Sequence, residues 1–158
     1  RDFGCYPAAN SAFLLNLGLE TLPVRMERYC ENATKVAQFL TESDKISFVT
    51  YPGLPTDKNY ALAQKYLPKG TCGVISFSIK GGRPAAVRFM DALELASIEV
   101  HVADIRTCVL HPASATHRQL TEEQLVAAGI DGGLIRLSVG LENVDDIIAD
   151  VKQALEKV

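Results

Sequence analysis

Arg136 stands in the middle of the run Leu134-Ile135-Arg136-Leu137-Ser138-Val139-Gly140. Strand alternation puts it on one face with Leu134, Ser138 and Gly140, and puts Ile135, Leu137 and Val139 on the other. A guanidinium among small neighbours can hold a carboxylate through two parallel hydrogen bonds. The plainer role is a solvated arginine on an open sheet face. A second polar concentration is His111-Pro112-Ala113-Ser114-Ala115-Thr116-His117, on a loop after an apolar run. Two histidines and two hydroxyls there suit acid–base work or a metal pair. The plainer reading is hydrogen bonds that order the loop. His101 stands at the end of an expected strand, where a structural histidine is the simpler reading. Asp104 and Arg106 read as a local ion pair of small energetic weight.

Other chemistries find less footing. A Schiff-base lysine needs a sheltered place, whereas Lys80 ends a strand before Gly81-Gly82 and reads as solvated or snorkelling. Neither Gly81-Gly82 nor Gly132-Gly133 has the spaced glycines of a phosphate loop, and no G-x-S-x-G elbow occurs. Cysteines stand at 5, 30, 72 and 108 with no C-x-x-C pair, and none has a histidine at metal-ligand spacing. They read as small core residues of a reduced, cytoplasmic protein, with no metal site expected.

The elements that must position these residues are legible from periodicity. The chain has 158 residues, 47% of them hydrophobic and 22% charged, with net charge −3, which fits one domain with a real core. Its Lys and Arg residues are dispersed, which argues against nucleic acid or an anionic membrane as partner. No apolar run reaches the ~18–20 residues of a membrane span. The first residue is Arg1 and not a methionine, so a processed chain or a piece of a longer one is expected. Residues 8–17 read as a buried apolar helix, and 24–40 as a long amphipathic one carrying Met26, Tyr29, Ala33, Val36, Ala37 and Leu40. Further helices are expected over 57–67, over 84–96 (with Val87, Met90, Leu93 and Leu95 toward the core), over 121–128 behind a Thr121–Gln124 capping box, and over 143–155 capped by Asn143. Strands are expected over 46–51, 73–80, 98–102, 106–110 and 134–139. The direct succession of two of these, near 98–110, suggests antiparallel pairing. The architecture expected is a two-layer α+β sandwich, mostly antiparallel, with helices on one sheet face. Residues 1–158 form one domain, with a helical lead-in over 1–43 and the sandwich over 44–158.

The loop His111–His117, the stretch Leu120-Thr121-Glu122-Glu123-Gln124-Leu125 and the run from Gly133 to Glu142 together resemble the tail of the Cys/Met-metabolism pyridoxal-phosphate (PLP) enzymes. Asp145-Asp146-Ile147-Ile148-Ala149-Asp150, the run from Gly18 to Met26, Tyr51-Pro52-Gly53-Leu54-Pro55 and Leu67-Pro68-Lys69-Gly70 extend the resemblance over essentially the whole chain. It implies the C-terminal small domain of a fold-type-I, aminotransferase-like enzyme whose larger domain holds PLP on a lysine. That cofactor serves as an electron sink for carbanions beside the amino acid's Cα. The branch most resembled replaces the acetate of O-acetylhomoserine with sulfide or a thiol. Elimination on methionine or cystathionine is the alternative. A stand-alone amino-acid-binding or interaction module is the alternative from another class. By position, Arg136 matches the arginine that binds the substrate α-carboxylate, and Thr116 matches a threonine that helps order that site. A third matching position, usually in a Ser/Asn-Leu-Gly stretch, reads His101-Val102-Ala103 here. No segment resembles the family's Ser-x-Thr-Lys cofactor site. The resemblance therefore implies that this chain alone neither holds PLP nor turns over substrate. Its partners would be the PLP-binding domain and further copies in a tetramer of tight dimers. An exposed apolar patch near 8–17 and some self-association are expected of the isolated domain.

Overall fold

Tyr29, Ala33, Val36, Ala37 and Leu40 recur at three- and four-residue intervals, so one helix face must be buried. All five are buried in the computed structural model, which describes residues 3–158. The Arg1-Asp2 start lies outside the described residues. The elements in chain order are α1 (Ala9–Glu20), α2 (Leu22–Glu42), β1 (Ile46–Thr50), α3 (Tyr60–Tyr66), β2 (Val74–Ile79), α4 (Gly82–Ala92), β3 (Ser97–Ile98), β4 (Cys108–Leu110), α5 (Glu122–Ala127), β5 (Leu134–Ser138) and α6 (Val144–Leu155).

The strands form one sheet in the order β1-β2-β5-β4-β3. β5, the last strand in the chain, lies at its centre and pairs antiparallel with β2 and β4. The alternation read from the sequence holds. Ile75, Phe77 and Ile79 of β2, with Ile135, Leu137 and Val139 of β5 and its extension, are buried on the helix side. α2 and α4 lie on that face and α6 packs against both. The ring of Phe77 meets that of Phe89 in α4 edge-on, centroids 5.8 Å apart. The result is the two-layer α+β sandwich expected. The caps are also as read. Thr121 and Gln124 form a reciprocal capping box on α5, and Asn143 Oδ1 accepts from the Asp145 amide at the start of α6.

Four expectations need correction. β3 and β4 pair parallel, not antiparallel, and both are shorter than expected. Residues 99–107 are an excursion that carries the chain back past its own start, so the two strands run the same way. The excursion turns at Ala103, which has a positive φ of 63°. α4 starts earlier than expected, at Gly82, after Gly81 in the left-handed region at φ 97°. It stops at Ala92, because the amides of Glu94, Leu95 and Ala96 turn away to the Asp150 carboxylate at 2.8, 3.0 and 2.9 Å. As a result Val87 and Leu95 are exposed, and the helix's core contacts come from Ala85, Ala86, Phe89 and Met90. α1 was read as buried, yet none of its residues is. It exposes Phe13, Leu14, Leu15, Leu17 and Leu19, and α2 lies against it. Of the cysteines, Cys108 alone is buried, and Cys5 is exposed. Among the described residues, no helix is long and apolar enough to cross a membrane.

Candidate functional site

The sheet face away from the helices positions the candidate arginine. Register places Arg136 between Ser76 of β2 and Leu110 of β4, and places Ser138 between Val74 and Cys108. Paired residues share a face, so Arg136, Ser138 and Cys108 all project from this side. The excursion 99–107 folds over it. The Val100 carbonyl accepts from Arg136 Nη2 at 2.5 Å, and the Ala103 amide donates to Ser138 Oγ at 3.0 Å. Arg136 is half-buried, and among the described residues this is the only hydrogen bond of its guanidinium.

The central strand is pinned from its far end. Gly140 follows β5, and a Cβ there would meet the Thr107 amide nitrogen at 2.5 Å, so the close approach requires glycine. Thr107 Oγ1 accepts from the Gly140 amide and donates to Glu142 Oε2, both at 2.9 Å. Buried Asn32 of α2 donates to the carbonyls of Gly140 and Glu142, each at 3.0 Å. These bonds tie the helix layer to the loop that follows Arg136.

The other candidates fall in two places. Thr116 lies in a series of turns after β4, exposed, with Oγ1 2.9 Å from His117 Nδ1. His111, in the same loop, is buried. Its Nε2 is 2.9 Å from the Gly132 carbonyl and its Nδ1 is 2.9 Å from Ser114 Oγ. Burial is the main cause holding its pKa below the ordinary histidine value of 6.5. It orders the loop, the plainer of the two sequence readings. His101 is exposed and turned toward Glu99 Oε2 at 2.7 Å and Asp104 Oδ2 at 3.1 Å. Among the described residues, no hydrogen bond joins the side chains of Arg136, Thr116 and His101. The link between Arg136 and His101 is the excursion itself, since Val100 directly precedes His101.

The sequence reading missed the company His101 keeps. Ligand atoms of Glu99, His101, Asp104 and Cys108 all lie within 4.8 Å of one another. Arg106 pairs with the outer oxygens, Glu99 Oε1 at 3.3 Å and Asp104 Oδ1 at 3.4 Å. The Arg106 backbone amide, and then its guanidinium, hold the Asp104 carboxyl down to about 2. Burial, and then the Glu99 and Asp104 charges, push the Cys108 thiol up. The spacing 99-101-104-108 matches no compact ligand motif, because a loop and not a helix or knuckle closes the group.

Every lysine of the chain is exposed. Lys80 Nζ is bound to the Asp44 carbonyl at 2.7 Å at the sheet edge. None has the sheltered surroundings a Schiff base demands.

A five-stranded sheet backed by helices on one face, with a half-buried arginine on the other face of its central strand, defines a small α+β domain. The sequence model of the Cys/Met metabolism PLP-dependent enzymes matches residues 1–156, and this chain belongs to that family. It is 48% identical to the O-acetyl-L-homoserine sulfhydrylase of Leptospira meyeri, over all of this chain and 36% of that protein. It is 46% identical to the L-methionine gamma-lyase of Fusobacterium nucleatum subsp. polymorphum, over 98% of this chain and 39% of that one. The crystal structure of a putative O-acetylhomoserine (thiol)-lyase from Campylobacter jejuni, which carries a pyridoxyl-lysine monophosphate, superposes with a TM-score of 0.89 at 44% identity. That match covers 99% of this chain and 37% of the other. The chain thus spans little more than a third of the length of these relatives.

Proposed function

We propose that this chain is the substrate-binding C-terminal domain of a PLP-dependent sulfur amino-acid enzyme, and that Arg136 grips the substrate's α-carboxylate. The parent reaction is γ-replacement on O-acetylhomoserine by sulfide or a thiol. One observation carries the reading. Arg136 projects half-buried from the central strand, and a single neutral carbonyl, that of Val100, engages its fork. A carboxylate makes shorter and stronger charge-assisted bonds than a peptide carbonyl and suits the two-pronged guanidinium. Thr116 would help order the loop beside that carboxylate. His101 is the weakest of the three, because Glu99 and Asp104 flank it and their charge opposes a further anion. Similarity to a sulfhydrylase supports γ-replacement. Similarity to a methionine gamma-lyase supports elimination as the second reading.

The exposed lysines do not fit the cofactor's Schiff base, so the cofactor's lysine lies in a partner domain of the same protein and this chain alone is inactive. The exposed apolar side chains of α1 suit packing against that domain, in a parent that assembles as a tetramer of tight dimers. The test is Arg136→Ala and Arg136→Lys in the protein carrying both domains. Charge-assisted hydrogen bonds contribute about 1.5–3 kcal/mol each, so KM for O-acetylhomoserine should rise roughly tenfold to a hundredfold in both variants. Unchanged KM would remove the carboxylate role. Turnover by the 158-residue chain with added PLP would remove the division of labour. Product from L-methionine without added thiol, at a rate above that with O-acetylhomoserine and sulfide, would favour elimination.

A further inference from the structure

We propose that Glu99, His101, Asp104 and Cys108 form a binding site for a zinc-class divalent cation, on the loop that covers Arg136. The donor set is mixed: one imidazole nitrogen, one thiol sulfur and two carboxylate oxygens, the types that zinc takes in four-coordinate sites. With bonds of about 2.0–2.3 Å, a tetrahedral ion holds its ligands roughly 3.3–3.8 Å apart. Here His101 Nε2 is 2.7 Å from Glu99 Oε2, 3.1 Å from Asp104 Oδ2 and 3.9 Å from Cys108 Sγ. The whole group falls within 4.8 Å. Small side-chain movements on an exposed loop separate these atoms into an ion's coordination shell.

Two further features favour a cation over a simple ion-pair cluster. First, both carboxylates converge on one nitrogen. A nitrogen carrying a single proton cannot satisfy two acceptors with well-directed bonds. Second, Arg106 does not occupy the centre. It takes Glu99 Oε1 and Asp104 Oδ1, the outer oxygens, and leaves Oε2 and Oδ2 facing inward. That is the part of an orienting group in the outer shell of a metal site. The charges also match. Two carboxylates and a thiolate, less one guanidinium, leave the charge that a divalent cation neutralises. Binding releases the Cys108 proton to solvent, since thiolate and not thiol is the ligand.

The position gives the site a consequence. Val100 and Ala103 lie between the ligands and hold the excursion to Arg136 and Ser138. An ion that ties Glu99, His101 and Asp104 to Cys108 on the sheet would hold that loop in place over the open face.

Cobalt(II), a coloured stand-in for zinc, tests this on the chain. One equivalent should give the thiolate-to-cobalt charge-transfer absorption and the intense visible bands of a tetrahedral site, and zinc should abolish both. The signal should survive Cys5, Cys30 and Cys72 all changed to Ser. It should be lost in Cys108→Ser. His101→Asn lies on an exposed position and leaves the core intact, so its loss of the signal stands even if Cys108→Ser misfolds. Arg106→Ala should weaken binding by about tenfold or more, as outer-shell changes do. No thiolate band at one equivalent, or a band that persists in His101→Asn, overturns the proposal.

Discussion

His111 shows what the fold does to one side chain. Its folded pKa lies below the ordinary 6.5, chiefly through burial, while the Gly132 carbonyl pulls it partly back. The unfolded chain therefore takes up the proton first as pH falls. Its stabilising contribution is present in full above about pH 6.5 and is lost as pH falls from there through the lower folded value. Thermal midpoints measured from about pH 7.5 down to 5.5 should fall for the chain and flatten in His111→Gln, which starts from a lower value. An equal slope in both would assign the acid sensitivity to other groups. Arg136 was legible in the sequence because strand alternation is local: two neighbours on each side fix its face. The partners of His111 and His101 were not. The Gly132 carbonyl is 21 residues from His111, and Cys108 reaches His101 only because residues 99–107 turn back on themselves. Spacing rules written for helices and knuckles do not find ligands gathered that way.

At the scale of elements, Asp150 connects two that the sequence treats as independent. From α6 it accepts three backbone amides at the end of α4 and a fourth bond from Gln153 at 3.0 Å. Asp150→Ala would strand those amides and should cost about 2–4 kcal/mol in urea unfolding. Asp150→Asn keeps an acceptor and should cost less. Equal losses would mean that charge, and not amide satisfaction, sets the energy. The same carboxylate explains a helix end that was not legible. Residues 93–96 keep an apolar pattern, so periodicity alone extends α4 to Ala96. The amides there have a better partner in an element over fifty residues away. Caps whose partners lie within three residues, at Thr121 and Asn143, were read correctly for the converse reason.

For the whole molecule, the two-layer architecture followed from periodicity, since a sheet with one apolar face must be covered on that face. What covers α1 did not follow. Phe13, Leu14, Leu15, Leu17 and Leu19 are all more than half exposed. The chain on its own should associate as concentration rises. Changing Phe13, Leu14 and Leu17 to Gln should lower the sedimenting mass at a given concentration and leave the thermal midpoint of the monomer within a few degrees, because none of the three contributes to the core. Unaltered association would move the contact surface elsewhere. The position of β5 bears on synthesis. The strand that joins β1-β2 to β4-β3 is the last of the five to leave the ribosome. Until then each pair presents an unsatisfied edge, and the pairings that complete the sheet span long stretches of sequence, which slows closure. A chain interrupted before residue 134 would lack the strand joining the two pairs. It should be found with holding chaperones or in inclusion bodies, and not as a smaller folded unit.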